Sequence, residues 1–382
     1  MVEWFQFAFW CSVGFVFYAY LGYPLLLWAL SCWRSHDVLR RDVRPSVTFI
    51  ITAYNEERRI EEKLKNTMSL TYPAEHLEIL VASDCSSDRT DDIVRSFAPG
   101  RIHLVRSPVR KGKEAAQKLA VQAAHGEILV FSDSATILPQ DAIINIVRNF
   151  ADPSVGCVSS IDRFVDKDGM LSGEGAYVRY EMWLRSLESR VYSLVGLSGS
   201  FFAARRKLCR DWATDLQSDF NTLLNSIKLH QRGVLDPLSI GYYQNISDER
   251  KEFERKARTV VRGISVLMKN LSLLNPFQYG IFAWQLFSHK VCRWLVPFAL
   301  CSALVSNVFL VGHWDGYLVS FFMQVSMYAS TLAWFTLGQR ARSLALLKVP
   351  SFFVLANASI MVAWFRYLKG ERITLWNPSS RS

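Results

Sequence analysis

Two different spacings account for most of the apolar residues in this chain. From Trp4 to Trp33 no residue carries a charge, a stretch longer than the roughly 20 residues a helix needs to cross a bilayer. Three more uncharged runs lie near the C-terminus, Trp294 to Gly312, Gly316 to Gln339 and Val349 to Phe365, and each reads as a further span. Between these ends the apolar residues come in short β-branched runs. VTFIITAYNEE, LEILVASD, RIHLVRS and EILVFSD each end in polar residues, as strands buried on both faces of a parallel sheet do. RRIEEKLKNTMSL, SDRTDDIVRSF and KGKEAAQKLAVQAA separate them with helical spacing. The alternation predicts a doubly wound α/β domain over residues 46–135. Beyond it, EGAYVRYEMWLRSLESRVYSL predicts a helix with Glu181 and Arg185 as an i,i+4 pair, and a further helix opens at Asp219 and runs to Arg232. NPFQYGIFAWQLFSHKVCRWLVP predicts an interfacial amphipathic helix leading into a span.

Charge adds orientation. Glu3 is the one charge before the first apolar run, whereas Arg34, Arg40, Arg41 and Arg44 follow it, so the central region is expected on the cytoplasmic side of the inner membrane. A cleaved secretory signal fits poorly, because the run is too long and no positive charge precedes it. The same rule puts Arg340, Arg342 and Lys348 inside but leaves Arg366, Lys369 and Arg372 outside. Either one C-terminal segment is re-entrant, or the segment NPFQYGIFAWQLFSH, Asn275 to His289, also enters the membrane. The net charge of +10 gathers near span ends and between Lys251 and Arg262, a distribution suited to lipid headgroups and a diphosphate rather than nucleic acid. Seven cysteines without a CxxC pair imply no disulfide framework.

In doubly wound sheets, ligands bind outside the carboxyl ends of the strands. Asn55 and Glu56 follow the first strand, Asp84 to Asp88 the second, and Asp133 the fourth. A helix cap is the ordinary role for Asp88; it explains Asp84 and Asp133 less well, because neither opens an obvious helix. GxGxxG after the first strand, GxxxxGK[ST], HExxH, GxSxG and clustered Cys/His ligands are all absent, which excludes the usual dinucleotide, phosphate-loop, zincin and hydrolase signatures. Carboxylates at strand tips are what remain.

VTFIITAYNEE, ILVASDCSSDRT, RKGKEAAQKLA, GEILVFSDSATILPQDA, GLSGSFFAARR, SDFNTLLNSIKLHQRGVLDP and EFERKARTVVRG, in this order, resemble the membrane-bound inverting glycosyltransferases of family 2, the class of cellulose, chitin and hyaluronan synthases. The resemblance covers roughly residues 44–270 and implies a GT-A fold there, with an N-terminal transmembrane helix at 1–33 and an interfacial helix plus C-terminal transmembrane region at 276–382. It implies a nucleotide-sugar donor, a UDP-sugar by the match of Asp84 to a base-contacting carboxylate, with Ala53, Tyr54, Asn55 and Glu56 lining base and ribose. Lys113 matches a basic residue near the diphosphate, and Arg255 and Arg258 match positions of a QxxRW motif. Asp133 matches the first acid of the DxD motif that holds Mg²⁺ or Mn²⁺, Asp219 the general base that takes the acceptor proton, and Gly199 and Ser200 the acceptor side. Three positions depart from the family: Ala135 replaces the second DxD acid, Ser218 replaces a Glu, and Thr259 replaces the motif's Trp. One acid does not abolish a Mg²⁺ site that uses phosphate and water ligands, but the missing Trp counts against long-chain processivity. The expected activity is sugar transfer to a lipid-linked or growing glycan, with polysaccharide export subunits as possible partners. The alternatives are a processive polysaccharide synthase and a catalytically inactive scaffold.

Overall fold

The computed structural model describes residues 1–97, 101–165, 176–244, 249–336 and 345–375. They fall into two compact units. Arg340 and Arg342, invoked above for orientation, lie outside the described residues.

The larger unit comprises residues 27–247, 265–283 and 373–382 and holds a seven-stranded sheet. Its strands are β1 (Val47–Ala53), β2 (Leu77–Ser83), β3 (Ile102–Arg106), β4 (Ile128–Asp133), β5 (Val155–Val165), β6 (Phe201–Arg205) and β7 (Arg232–Gln244), in the order β3-β2-β1-β4-β6-β5-β7. The first four run parallel, as expected from their apolar runs. β6 is antiparallel to both its neighbours, and β5 pairs parallel with β7. The sheet is therefore mixed, and β5 and β7 were not legible as strands.

Period two explains why β1 is apolar throughout. Phe49 and Ile51 join one core with Ile60 and Leu64 of the helix Ile60–Met68. Ile50 joins the opposite core, where Ala116 and Ala120 of the helix Lys113–Ala123 pack against Leu129 and Phe131. Helices thus cover both faces, and a strand buried twice cannot alternate with polar residues. On the second face Phe131 stacks between Phe202 and Trp212, with ring centroids at 4.7 and 5.0 Å. The Trp212 indole donates to the Glu114 carbonyl at 3.1 Å, which ties the first turn of Lys113–Ala123 to the chain leading into the helix Ser218–Lys228. That helix ends at Lys228 rather than Arg232. Residues 229–231 turn the chain, with His230 at φ 56, and Arg232 already starts β7.

The smaller unit, residues 1–26, 248–264 and 284–372, is helical. Among the described residues, three helices are long and apolar enough to cross a membrane: Val2–Trp33, Ile281–Leu310 and Val349–Leu368. The segment expected to be an interfacial helix leading into a span forms a four-residue helix, Pro276–Tyr279, ended by Gly280 at φ 53, after which Ile281–Leu310 runs on as one apolar helix. The expected span 316–339 is a helix over Asp315–Thr336 among the described residues, with Ser, Thr and Gln interspersed along it. Those polar residues join neighbouring helices: Asn307 donates to Ser320 at 2.8 Å and Gln324 to the Leu300 carbonyl at 2.9 Å, the kind of polar contact used where lipid gives no hydrophobic drive between helices.

Candidate active site

The carboxyl ends of β1, β2, β4 and β5 and the start of β6 lie along one edge of the sheet. Two left-handed residues shape the loops there. Asn55 (φ 52) and Cys85 (φ 58) lie just past β1 and β2, in a backbone region that non-glycine residues rarely adopt and that clusters at functional loops. The loops are cross-linked: the Ser87 N–H donates to the Asn55 side chain at 2.8 Å, and the Glu56 N–H to the Thr90 hydroxyl at 2.8 Å. Asp88 caps the following helix, accepting from the Thr90 N–H at 2.9 Å.

The residues expected to line base and ribose sit together. Ala53 is buried and its carbonyl accepts the Asp84 N–H at 3.0 Å. Tyr54 lies beneath the Arg110 guanidinium, 4.0 Å from the ring centroid, and so forms a flat platform that the sequence did not suggest. Glu56 is buried, and that burial raises its pKa against the pull of Arg59.

Asp84 behaves differently from expectation. It is 0% exposed, and its two oxygens accept the N–H groups of Lys111 (2.9 Å) and Gly112 (2.8 Å). Its carboxylate holds the RKGK turn through both oxygens. Gly112 (φ +99) ends the turn, and the next residue opens the helix that carries Lys113.

Lys113 Nζ donates to Asp133 Oδ1 at 2.6 Å and to the Gly199 carbonyl at 3.2 Å. Asp133 is anchored in turn, because its N–H donates to the Ser200 carbonyl at 3.0 Å. On the other side of the same loop, Asp219 Oδ2 approaches the Gly199 Cα so closely that a methyl group there would sit 2.7 Å from it. Asp219 is 7% exposed and lies in the first turn of Ser218–Lys228, where it accepts from the Phe220 N–H (2.7 Å) and Gln217 Nε2 (3.1 Å). Lys113, Asp133 and Asp219 therefore surround one glycine.

Ser200 does not offer a free hydroxyl. It donates to Asp162 Oδ1 at 2.5 Å, and Ser198 donates to both oxygens of the same carboxylate at 2.7 and 2.8 Å. Asp162 was missed because β5 was not recognised as a strand; as a polar residue near a strand end it carries the same signal as Asp133. Arg185 was expected to pair along its helix with Glu181. Its guanidinium reaches the Ser159 hydroxyl at 2.6 Å and the Gly196 carbonyl at 3.4 Å.

Beneath the β4 loop lies Lys63, fully buried, donating to the Ser132 hydroxyl at 2.7 Å and the Thr136 carbonyl at 2.6 Å. Burial lowers its pKa to about 7, only partly opposed by Asp133.

For a divalent cation, the described residues contain no group of three or more His, Cys, Asp or Glu side chains. They offer the second oxygen of Asp133 beside Lys113, with Ala135 in place of a partner acid. This donor set fits a cation that brings phosphate and water oxygens with it, not a protein cage. Arg255 and Arg258 belong to the helical unit, on Glu249–Met268. Arg255 is paired with Glu252 through two contacts of 2.7 Å. Arg258 has its pKa lowered by burial first and by Arg262 and Arg255 next.

A mixed sheet with a parallel half, helices on both faces and an acidic carboxyl edge defines the larger unit as a GT-A-type α/β domain. The fold agrees with a solved structure, the mannosyltransferase PcManGT from Pyrobaculum calidifontis in complex with GDP-Man and Mn²⁺, at a TM-score of 0.72 and 23% identity over 97% of this chain and 100% of that one. Residues 48–212 match the family model described as Glycosyl transferase family 2. Poly-beta-1,6-N-acetyl-D-glucosamine synthase of Staphylococcus aureus is 29% identical over 201 residues, 50% of this chain and 47% of the relative. The protein of the same name in Staphylococcus epidermidis is 28% identical over 193 residues, 48% and 45%. The chain thus spans about half the length of these relatives.

Proposed function

We propose that the chain is an integral-membrane inverting glycosyltransferase that moves a sugar from a UDP-sugar to a lipid-linked or growing glycan in polysaccharide or glycolipid synthesis. The observation that supports it most is the gathering of Lys113, Asp133 and Asp219 around Gly199. The catalytic domain is taken as residues 44–270, facing the cytoplasm, between membrane segments at 1–33 and 276–382. Ala53, Tyr54, Asn55 and Glu56 line the nucleoside, and Arg110 over Tyr54 extends that surface. Asp219 accepts the proton of the acceptor hydroxyl, whose oxygen attacks the anomeric carbon from the face opposite the nucleotide. As the bond from that carbon to the diphosphate oxygen breaks, the Lys113 ammonium meets the charge that develops there. The free oxygen of Asp133 would hold Mg²⁺ or Mn²⁺, which when bound supplies further neutralisation of the leaving diphosphate.

The test is sugar transfer in membranes from a labelled panel of UDP- and GDP-sugars, with and without Mn²⁺. Cation-stimulated transfer from a UDP-sugar, lost in Asp219→Asn, is expected. Release of neither UDP nor GDP from any donor would leave the inactive-scaffold reading. The names of the relatives favour a second reading, a processive synthase, while Thr259 favours few additions. A product ladder beyond tens of sugars would decide for the synthase.

A further inference from the structure

The five-residue loop from Gly196 to Ser200 touches Lys113, Asp133 and Asp219. Its Gly199 carbonyl accepts from Lys113, its Gly199 Cα abuts Asp219, and its Ser200 carbonyl accepts the Asp133 N–H. What fixes this loop therefore fixes the distance between the proposed base and the donor-side pair. Only Phe201 onward belongs to the strand ladder, so the loop depends on side chains for its position.

Those side chains converge on β5. Asp162 accepts three hydroxyl contacts of 2.5–2.8 Å from Ser198 and Ser200, whose hydroxyls are themselves 2.9 Å apart. The Ser159 hydroxyl accepts the Ser198 N–H at 2.7 Å and the Arg185 guanidinium at 2.6 Å. Hydrogen bonds to a charged acceptor are shorter and about twice as strong as neutral ones, and a carboxylate can hold two hydroxyls at once. Burial raises the Asp162 pKa, while both serines and Arg185 pull it down and Asp133 pushes it up, so the groups on either side of the loop sense one another.

We propose that Asp162 is a positioning residue of the transfer reaction, clamping Ser198 and Ser200 so that Gly199 keeps Asp219 in register with Lys113 and Asp133. The proposal rests on the transferase reading above. As a positioning residue Asp162 acts through the loop serines, so its loss should lower turnover while leaving nucleotide binding intact.

The experiment uses the full chain in detergent, with UDP affinity and transfer kinetics measured for wild type, Asp162→Ala, Asp162→Asn and Ser198→Ala/Ser200→Ala. A misplacement of about 1 Å costs on the order of 100-fold in rate. Asp162→Ala and the double serine variant are therefore each expected to lose about 10- to 100-fold in kcat, with the UDP Kd within about threefold of wild type. Asp162→Asn, which still accepts one hydroxyl, should recover part of the loss. An unchanged kcat in Asp162→Ala, or a parallel loss of UDP binding in both Asp162 variants, overturns the proposal. If the wild type transfers no sugar, the transferase reading fails, and hydrogen exchange then decides the clamp separately. Amides 196–200 should exchange at least about tenfold faster in Asp162→Ala than in wild type, with β1–β4 unchanged; equal exchange in the loop refutes the clamp.

Discussion

Replacing Gly199 by alanine adds one methyl group at the point where the site is tightest. Gly199 has no left-handed φ, so the backbone accepts alanine and the whole effect falls on the neighbour. The new carbon would lie 2.7 Å from Asp219 Oδ2 and 3.6 Å from its Cγ, whereas non-bonded carbon contacts are optimal near 3.5–4.0 Å. The carboxylate must retreat by about 0.5–1 Å. It cannot do so freely, because Oδ1 is held by the Phe220 N–H at 2.7 Å and Oδ2 by Gln217 at 3.1 Å, and rotation gives up one of these. A proposed base displaced by that amount should lower kcat by about 100-fold, while overpacking costs about 1–3 kcal/mol of stability. Nucleotide binding should survive, since the Lys113–Asp133 pair lies on the other side of the loop. The assay is transfer from labelled donor beside UDP binding by calorimetry, on protein checked for its melting temperature. A kcat within threefold of wild type would refute both the assignment of Asp219 as base and the tight geometry around Gly199.

Other outcomes follow from the same geometry. Asp219→Asn keeps the shape but removes the base and should lower kcat by about 10²- to 10⁴-fold with UDP affinity unchanged; equal activity would remove Asp219 from the mechanism. Lys63 titrates near pH 7 when folded but near 10.5 in the unfolded chain. Between those values the unfolded state binds the extra proton, so stability rises with pH across that window. Urea unfolding from pH 6 to 9 should show that slope in wild type and lose it in Lys63→Met, and identical slopes would contradict it. Gly112→Ala must adopt φ +99 and would drive its methyl against the Thr374 carbonyl oxygen, so a loss of about 1–3 kcal/mol is expected, read by thermal melting, and a wild-type melt would show that the RKGK turn is not as drawn. Chelation should abolish transfer and Mn²⁺ should restore it, with Asp133→Ala abolishing the restoration; full activity in chelator would argue that Lys113 alone suffices.

How much of this was readable from sequence depends on whether a residue's role is local. β1 to β4 and their helices were legible because a strand buried on both faces has no choice but to be apolar, and polar residues at its end then stand out. β5 and β7 were not. VSSIDRFV mixes serine and charge into a strand because Ser159, Ser160 and Asp162 are consumed by partners about 25–40 residues away in sequence, and periodicity cannot reveal such pairings. The length of Ser218–Lys228 failed for a smaller reason: nothing in KLHQRG marks His230 as left-handed.

Asp84 and Lys113 carry the point further, because a correct motif can hide how the work is divided. Both were placed at the donor site by resemblance and both lie at that edge, yet one carboxylate is spent on two backbone N–H groups while one ammonium bridges the acid and the loop. The two are linked in series: Asp84 fixes Lys111 and Gly112, Gly112 starts the helix, and the helix aims Lys113 at Asp133. A strand-tip aspartate can thus govern the proposed diphosphate end of the site through the turn, provided its two acceptor oxygens hold it. Charge at residue 84 matters less to this function than bidentate geometry, so Asn, with one acceptor oxygen, should loosen the turn where a base-contacting role would instead have changed nucleotide preference.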